Sequence, residues 1–268
     1  MRTPLVLSLI IVFACSPALG SESAWVELTP GVDLRLVSSD VVTEDGTVWM
    51  GLEFNMPEDT KTYWRVPGES GIPLELDATA STGIGSIDVA WPYPKREIYD
   101  GYLDHSYYGP TLIPLEVSLG ADRPHIDLDI MVGICSDICV PAMARLELAP
   151  SLDAADAPNQ LRIRQALADV PLPDDSEDIF GAALFDANRN AVLLARHASE
   201  FDVDTMIAEL VGTTMVFDAP RLSSDGGAIV FPVLGRVKPE MFSEGTMRFS
   251  FDTQEGSFET LRPVTTEH

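Results

Sequence analysis

The stretch RPHIDLDIMVGIC, residues 123–135, alternates apolar and polar side chains with a period of two. In an extended chain Ile126, Leu128, Ile130 and Val132 fall on one face, and His125, Asp127 and Asp129 on the other. That is the pattern of a strand with a core on one side and water on the other. Outward from it, between residues 24 and 150, VDLRLVSSD (32–40), TVWMGLEFNMP (47–57), IGSIDVAWPYP (84–94) and LIPLEVSLG (112–120) read largely the same way. Turns rich in Gly, Pro, Asp and Ser separate them. Many short strands at short intervals predict an all-β sandwich of two antiparallel sheets.

Beyond residue 150 the composition changes. Residues 151–178 open with Ala and Asp and hold one helical stretch, Asn159 to Val170, ended by Pro171 and Pro173. This segment reads as a linker with a short helix. Residues 179–268 return to strand patterns in NAVLLARH, TTMVFDAP, GAIVFPVLG, GTMRFSFDT and SFETLRPV, with a weak helical turn around DVDTMIAELV (202–211). They predict a second, smaller β-sandwich that has no cysteine and no evident catalytic cluster, and so a structural or docking role.

The first strand ends in a cysteine, and the next cysteine follows four residues later in GICSDICVP. In one extended strand Cys135 and Cys139 would lie about 13 Å apart, beyond the roughly 7 Å between Cα atoms that a disulfide tolerates. A hairpin with Ser136-Asp137-Ile138 at its tip, or one turn of helix, would bring them together. A bond closing so short a ring restrains the unfolded chain little, and a local bond is easier to reduce than one joining distant segments. Three readings stay open from the residues alone: a redox couple, a structural disulfide, and a metal clip. For the last, two thiolates could hold Cu(I) with help from His105, His125 or Met143. No second cysteine pair or H-x-x-x-H accompanies the first, which argues against zinc.

The N-terminus sets the compartment. Arg2 precedes an apolar run from Leu5 to Ala14 and a small-residue region ending at Gly20. This is the pattern of a secretory signal, residues 1–20, and the run is too short to span a bilayer. VFAC at 12–15 also resembles a bacterial lipobox, in which Cys15 would carry a lipid. Phe13 is bulky where that motif has a small or β-branched residue, so simple secretion is the favoured reading. Either way Cys15 takes no part in the redox chemistry. The remaining chain is strongly acidic, with 42 Asp and Glu against 17 Lys and Arg, which excludes nucleic acid as a partner. It is also 46% hydrophobic and can build cores.

GICSDICVPAMARLEL (133–148) resembles the cysteine motif of the amino-terminal periplasmic domain of the thiol:disulfide interchange protein DsbD. It is most similar to the free-standing, copper-tolerance-associated branch, in which the motif reads C-x-x-x-C-V-P. KTYWRVPGESGIPLELDATAS (61–81), with Tyr63, Trp64, Arg65, Pro67, Gly68 and Gly71, and HSYYGPTLIPLEV (105–117) resemble the segments that precede the cysteines in that branch. The resemblance implies an immunoglobulin-like sandwich over residues 21–150 whose Cys135 and Cys139 cycle between dithiol and disulfide. It implies a membrane thiol–disulfide transporter as electron donor. As acceptors it implies periplasmic thioredoxin-like proteins, including those of cytochrome c maturation, or disulfide isomerases. No cofactor or metal is called for. In the family a loop bearing an aromatic residue shields the pair, and Tyr99, Tyr102, Tyr107 and Tyr108 are the candidates here. Two features depart from the pattern. The membrane helices and carboxy-terminal thioredoxin-like domain of the full transporter are not read in these residues, so electrons are expected from a separate protein. The classical domain also spaces its cysteines more widely. Copper binding or copper tolerance, and a passive sandwich with a structural disulfide, are the alternatives.

Overall fold

The computed structural model describes residues 20–99, 101–121, 123–174, 176–197 and 201–267. The expected export signal, Gly20 apart, and Cys15 lie outside the described residues. The first part of the chain forms β1 (Val26–Thr29), β2 (Val32–Val42), β3 (Thr47–Asn55), β4 (Lys61–Gly68), β5 (Glu75–Asp77), β6 (Ile84–Val89), β7 (Lys95–Tyr99), β8 (Tyr102–Tyr108), β9 (Thr111–Leu119), β10 (Ile126–Cys135) and β11 (Cys139–Leu148). One sheet runs β1-β2-β3-β9-β6; the other runs β11-β10-β4-β8-β7, with β5 paired to β10. The two close on a single core, in which Ile126, Leu128, Ile130 and Val132 meet Leu34, Leu36, Met50, Leu52, Leu115 and Val117. This is the expected sandwich, and the inward face of β10 is the one its alternation predicts. Each of those fully buried side chains contributes about 1.5–3 kcal/mol by leaving water.

Strands β4 and β8 carry no clean alternation, because both their faces are covered. On β4, Trp64 and Val66 enter the core, while Tyr63 is equally buried on the opposite face. Gly68 ends β4 at φ +98°, and a Cβ there would stand 2.2 Å from the Leu103 carbonyl oxygen. Only glycine fits that turn.

Helix α1 (Ala157–Ala168) begins two residues earlier than the sequence suggests, because the Asp156 carboxylate accepts from the Asn159 N–H and caps it. It is docked on the first sandwich rather than spanning open space. Its buried residues are Asn159 and Ile163, Asn159 donates to the Ser21 carbonyl at 3.2 Å, and Arg162 pairs with Glu22 and Glu53.

The last part of the chain forms β12 (Leu172–Pro173), β13 (Phe180–Asp186), β14 (Ala191–Arg196), β15 (Ile207–Leu210), β16 (Arg221–Leu222), β17 (Ala228–Pro232), β18 (Thr246–Thr253) and β19 (Gly256–Glu267). The sheet order is β15-β18-β19-β13-β14-β17-β16, with β12 beside β19. β19 pairs with β18 through Pro263 and with β13 from Val264 onward, so it passes from one layer to the other. The layers face each other across aromatic contacts, Phe180 on Phe251 and Phe231 on Phe249. The expected second sandwich is therefore one sheet folded on itself. The weak helical turn resolves into a 3-10 turn at Val203–Thr205, followed directly by β15.

The two units meet at buried charge. Arg65 donates to Glu209 at 2.7 Å and to Glu259 and Ser250 at 3.2 Å, with its guanidinium 4.0 Å from the centre of the Trp64 ring. Arg96 donates to the Met206 carbonyl at 2.6 Å, Tyr93 donates to that of Thr205, and Ile207 joins the first core. Arg65→Ala would strand Glu209 in a dry contact that Arg248, 3.5 Å away, only partly neutralises. The expected loss is roughly 3 kcal/mol in urea denaturation; a change below 0.5 kcal/mol, the usual size for a surface site, would contradict this account of the interface.

His105 generates a pH dependence. It is 2% exposed, and its Nδ1 lies 2.9 Å from the Val66 carbonyl oxygen. Burial, with Arg96 and Arg65 nearby, pushes its pKa down to about 4 against the pull of the Val66 carbonyl and Asp104. The unfolded chain therefore takes up a proton near pH 6.5 that the folded chain refuses until about pH 4. This contribution is complete above pH 6.5 and is lost as pH falls toward 4, by roughly 3 kcal/mol. Replacing the ring by His105→Gln should remove that component of the stability–pH curve; an unchanged slope between pH 6.5 and 4 would refute it.

Candidate functional site

β10 and β11 are paired at every position from Ile126–Leu148 to Cys135–Cys139. The last rung is the cysteine pair, joined as a disulfide with Cα atoms 4.0 Å apart. Ser136, Asp137 and Ile138 form the exposed hairpin tip, so of the two geometries open to the sequence the hairpin is the one adopted. Cys135 is 6% exposed, whereas Cys139 is half-buried. Both belong to the outer face of the sheet, away from the core that Ile134 and Val132 enter.

Tyr63 lies against this pair. Its hydroxyl is 3.2 Å from Cys139 Sγ. Two glycines make room for its ring. A Cβ on Gly133 would stand 2.9 Å from Tyr63 Cδ2 and 2.7 Å from Ile72 Cβ, and one on Gly71 would stand 2.6 Å from Tyr63 Cδ1. The ring is thus held between β10 and the 67–74 segment, which folds over the outer face. Burial pushes the Tyr63 hydroxyl pKa up despite the Lys61 charge, so it remains a proton-bearing donor at neutral pH.

A buried ionic cluster ties that cover down. Lys61, directly across β4 from Cys135, donates to Glu97 at 2.9 Å and Asp104 at 3.0 Å. Asp104 also accepts from the Ser70 hydroxyl at 2.7 Å and its N–H at 3.2 Å, and Glu69 accepts from the Leu103 N–H at 3.0 Å. Burial alone would lower the Lys61 pKa, but the two carboxylates outweigh it and hold it above the usual lysine value. Burial likewise opposes Glu97, and its hydrogen bonds from Tyr108 and Lys61 bring it below the usual carboxylate range. Tyr108 is pushed up to about 12, by burial and by donating to Glu97.

The four tyrosines expected in a shielding loop are strand residues instead. Tyr102, Tyr107 and Tyr108 lie on β8. Tyr107 turns inward and donates to the Pro92 carbonyl at 2.7 Å, Tyr108 belongs to the Lys61 cluster, and Tyr102 is exposed at the β7–β8 turn. Tyr99 pairs with Tyr102 through its backbone, and its side chain lies outside the described residues. The 67–74 segment also lies on this face, with Ile72 against Gly133 and Gly71 against the Tyr63 ring. Neither Tyr63 nor Lys61 stands out as a site residue by sequence proximity, being more than 70 positions from the cysteines; the signal was Gly71, a glycine inside the resembling segment. The suggested metal helpers do not converge on the thiols. His105 is buried on the inner face, and His125, 4.0 Å from Glu147, is at the opposite end of β10. Among the described residues no group of three or more His, Cys, Asp and Glu could hold a metal, and no helix is long and apolar enough to cross a membrane.

Residues 34–151 match the family model described as thiol:disulfide interchange protein DsbD, N-terminal. Among solved structures, the chain is similar to the N-terminal periplasmic domain of ScsB from Proteus mirabilis, at 18% identity and a TM-score of 0.67, over 92% of this chain and 99% of that one. The periplasmic chaperone SfaE is matched at 8% identity over 87% of this chain and 100% of that one, with a TM-score of only 0.19. No curated protein matches. The ScsB likeness extends across both sandwiches and concerns the fold, whereas the family match covers the hairpin and the segment beneath it. Residues 34–151, 118 of the chain's 268, are therefore similar to DsbD amino-terminal domains.

Proposed function

We propose that this protein is an exported thiol–disulfide exchange protein that passes reducing equivalents from a membrane thiol–disulfide transporter to disulfide-containing periplasmic proteins through Cys135 and Cys139. Thioredoxin-like proteins and disulfide isomerases are the acceptors it suits. The observation that carries this reading is a cysteine pair at the base of an exposed hairpin tip, with Cys135 buried, Cys139 half-buried, and a tyrosine hydroxyl 3.2 Å from the Cys139 sulfur. The match of residues 34–151 to the DsbD amino-terminal family model supports it, as does the periplasmic origin of the matched ScsB domain.

In the reduced state Cys139 is the attacking thiol. The Tyr63 O–H donates to its sulfur and favours the thiolate. That thiolate attacks one sulfur of the partner's disulfide, the partner S–S bond breaks, and the departing sulfur takes a proton. Cys135 then loses its proton and attacks Cys139 Sγ, freeing the partner's second thiol and closing the 135–139 bond. Two electrons and two protons have passed to the partner, and a donor dithiol restores the pair by the reverse steps.

A purely structural disulfide fits less well. Ten paired positions already zip β10 to β11, and a ring this small adds little restraint. Copper binding has one point in its favour, because Met143 is on the same outward face as Cys139, but neither candidate histidine is beside the thiols. Single-cysteine variants test the proposal in the native envelope. Cys135→Ser should accumulate protein-sized adducts that dithiothreitol releases, because the resolving thiol is gone. Cys139→Ser should accumulate few. Adducts on Cys139→Ser alone, or on neither variant, would overturn the assignment.

A further inference from the structure

The outer face of the disulfide hairpin continues beyond the sulfurs. Along β11 the outward residues after Cys139 are Pro141, Met143 and Arg145, and opposite them on β10 are Gly133, Met131 and Asp129. β5 extends the face, with Glu75 paired to Met131 and Asp77 to Asp129. These three strands form a shallow cleft of about 510 Å³, with the Met131–Met143 pair at the end nearer the cysteines and Asp129 and Arg145 at the other. Met143 is 77% exposed, and Ile138, at the hairpin tip, is 74% exposed. Large apolar side chains this open, on the same face as the half-buried Cys139 or at the hairpin tip next to it, mark a contact surface, and methionines adapt their shape to varied partners.

The rim is acidic. Asp77 and Asp129 face each other directly across the strands, an arrangement that like charges disfavour. Among the described residues no ion pair within 4 Å reaches Glu75, Asp77 or Asp129. Arg145, the cation lining the cleft, is engaged by Asp127 at 2.5 Å and Glu147 at 3.5 Å. The cleft therefore has apolar lining from Leu76, Ile130, Met131, Met143 and Ala144, and a rim on which three carboxylates outnumber the one cation, Arg145, opposite Asp129.

We propose that this cleft binds an extended segment flanking the reactive cysteine of the partner protein, and that it selects segments carrying apolar residues bordered by Lys or Arg. The inference rests on the exchange reading above. Cys139 and Met143 are four residues apart, about 13 Å along a strand. A segment of four or five extended residues next to the partner's cysteine therefore reaches from the sulfur to the methionine pair. Pro141, exposed between them, leaves that path open. Buried apolar contact holds the segment, and the carboxylates choose its charge and speed its arrival.

The test uses the reduced full chain and three peptides whose single cysteine carries 5-thio-2-nitrobenzoate as a mixed disulfide. One has Leu and Ile beside the cysteine and Lys at its ends, one replaces Lys by Glu, and the third is a bare N-acetyl-cysteine amide. Attack by Cys139 expels the yellow thiolate, and Cys135 then releases the peptide thiol. The Lys peptide should react about tenfold faster than the Glu peptide, a preference that shrinks in 0.5 M NaCl. Glu75→Gln with Asp129→Asn should abolish most of that preference. Met143→Ser should slow both long peptides several-fold and leave the bare cysteine amide unchanged. Equal rates for the two long peptides, or a preference that survives both variants, would overturn the cleft assignment while exchange itself stands. Failure to release the chromophore from any of the three would overturn the exchange reading as well.

Discussion

Everything at the site depends on the register of one hairpin. Side chains alternate faces along a strand, so a slip of a single residue between β10 and β11 would carry Cys135 and Cys139 toward the core and Ile134 and Val132 into water. The inner residues of β10, packed on Leu36, Met50 and Leu115, prevent that slip. Hydrophobic packing on one face thus positions the paired sulfurs on the other. The three-residue tip adds the remaining constraint by ending the ladder where the sulfurs meet.

The same logic explains why the neighbouring strand is buried on both faces. β4 contributes Trp64 and Val66 to the core and turns Lys61 and Tyr63 toward the sulfurs. Those two polar side chains survive burial only because partners are provided. Lys61 has Glu97 and Asp104, and Tyr63 has Cys139 Sγ. Asp104 also holds Ser70 and with it the segment that covers Tyr63. The charge cluster, the cover and the tyrosine donor form one connected unit, in which loss of a partner leaves buried charge uncompensated.

Much of this was legible in the chain and some was not. The alternation in HIDLDIMVGIC gave the strand and its core face, while Ser136-Asp137 allowed the hairpin without excluding one turn of helix. The second sandwich was legible from its apolar stretches, though not the crossing of β19 between layers, which depends on pairing with distant β13. KTYWRVPG hides its strand character because alternation vanishes when both faces are covered. YLDHSYY hides for the same reason, since Asp104, His105 and Ser106 are all buried. Three of the four tyrosine candidates for a shielding element are β8 residues, while Gly71 and Gly133 mark where the Tyr63 ring lies, because only a missing Cβ makes room for it. The helix looked like part of a free linker because only Asn159 and Ile163 are buried, too few to make a clear apolar stripe.

The second unit is bound to the first through Arg65, Arg96 and Tyr93, on or beside strands β4 and β7 rather than the hairpin, so the tip stays open to a partner. The central claim, that the Cys135–Cys139 bond is one the protein opens and closes in use, is tested most directly by its reduction potential. The intact protein is equilibrated in glutathione and dithiothreitol buffers and its free thiols are counted by an alkylation gel shift. The account predicts reversible opening with a midpoint more oxidising than about −300 mV. A bond that stays closed far below about −300 mV would be a structural staple, and the account would be wrong.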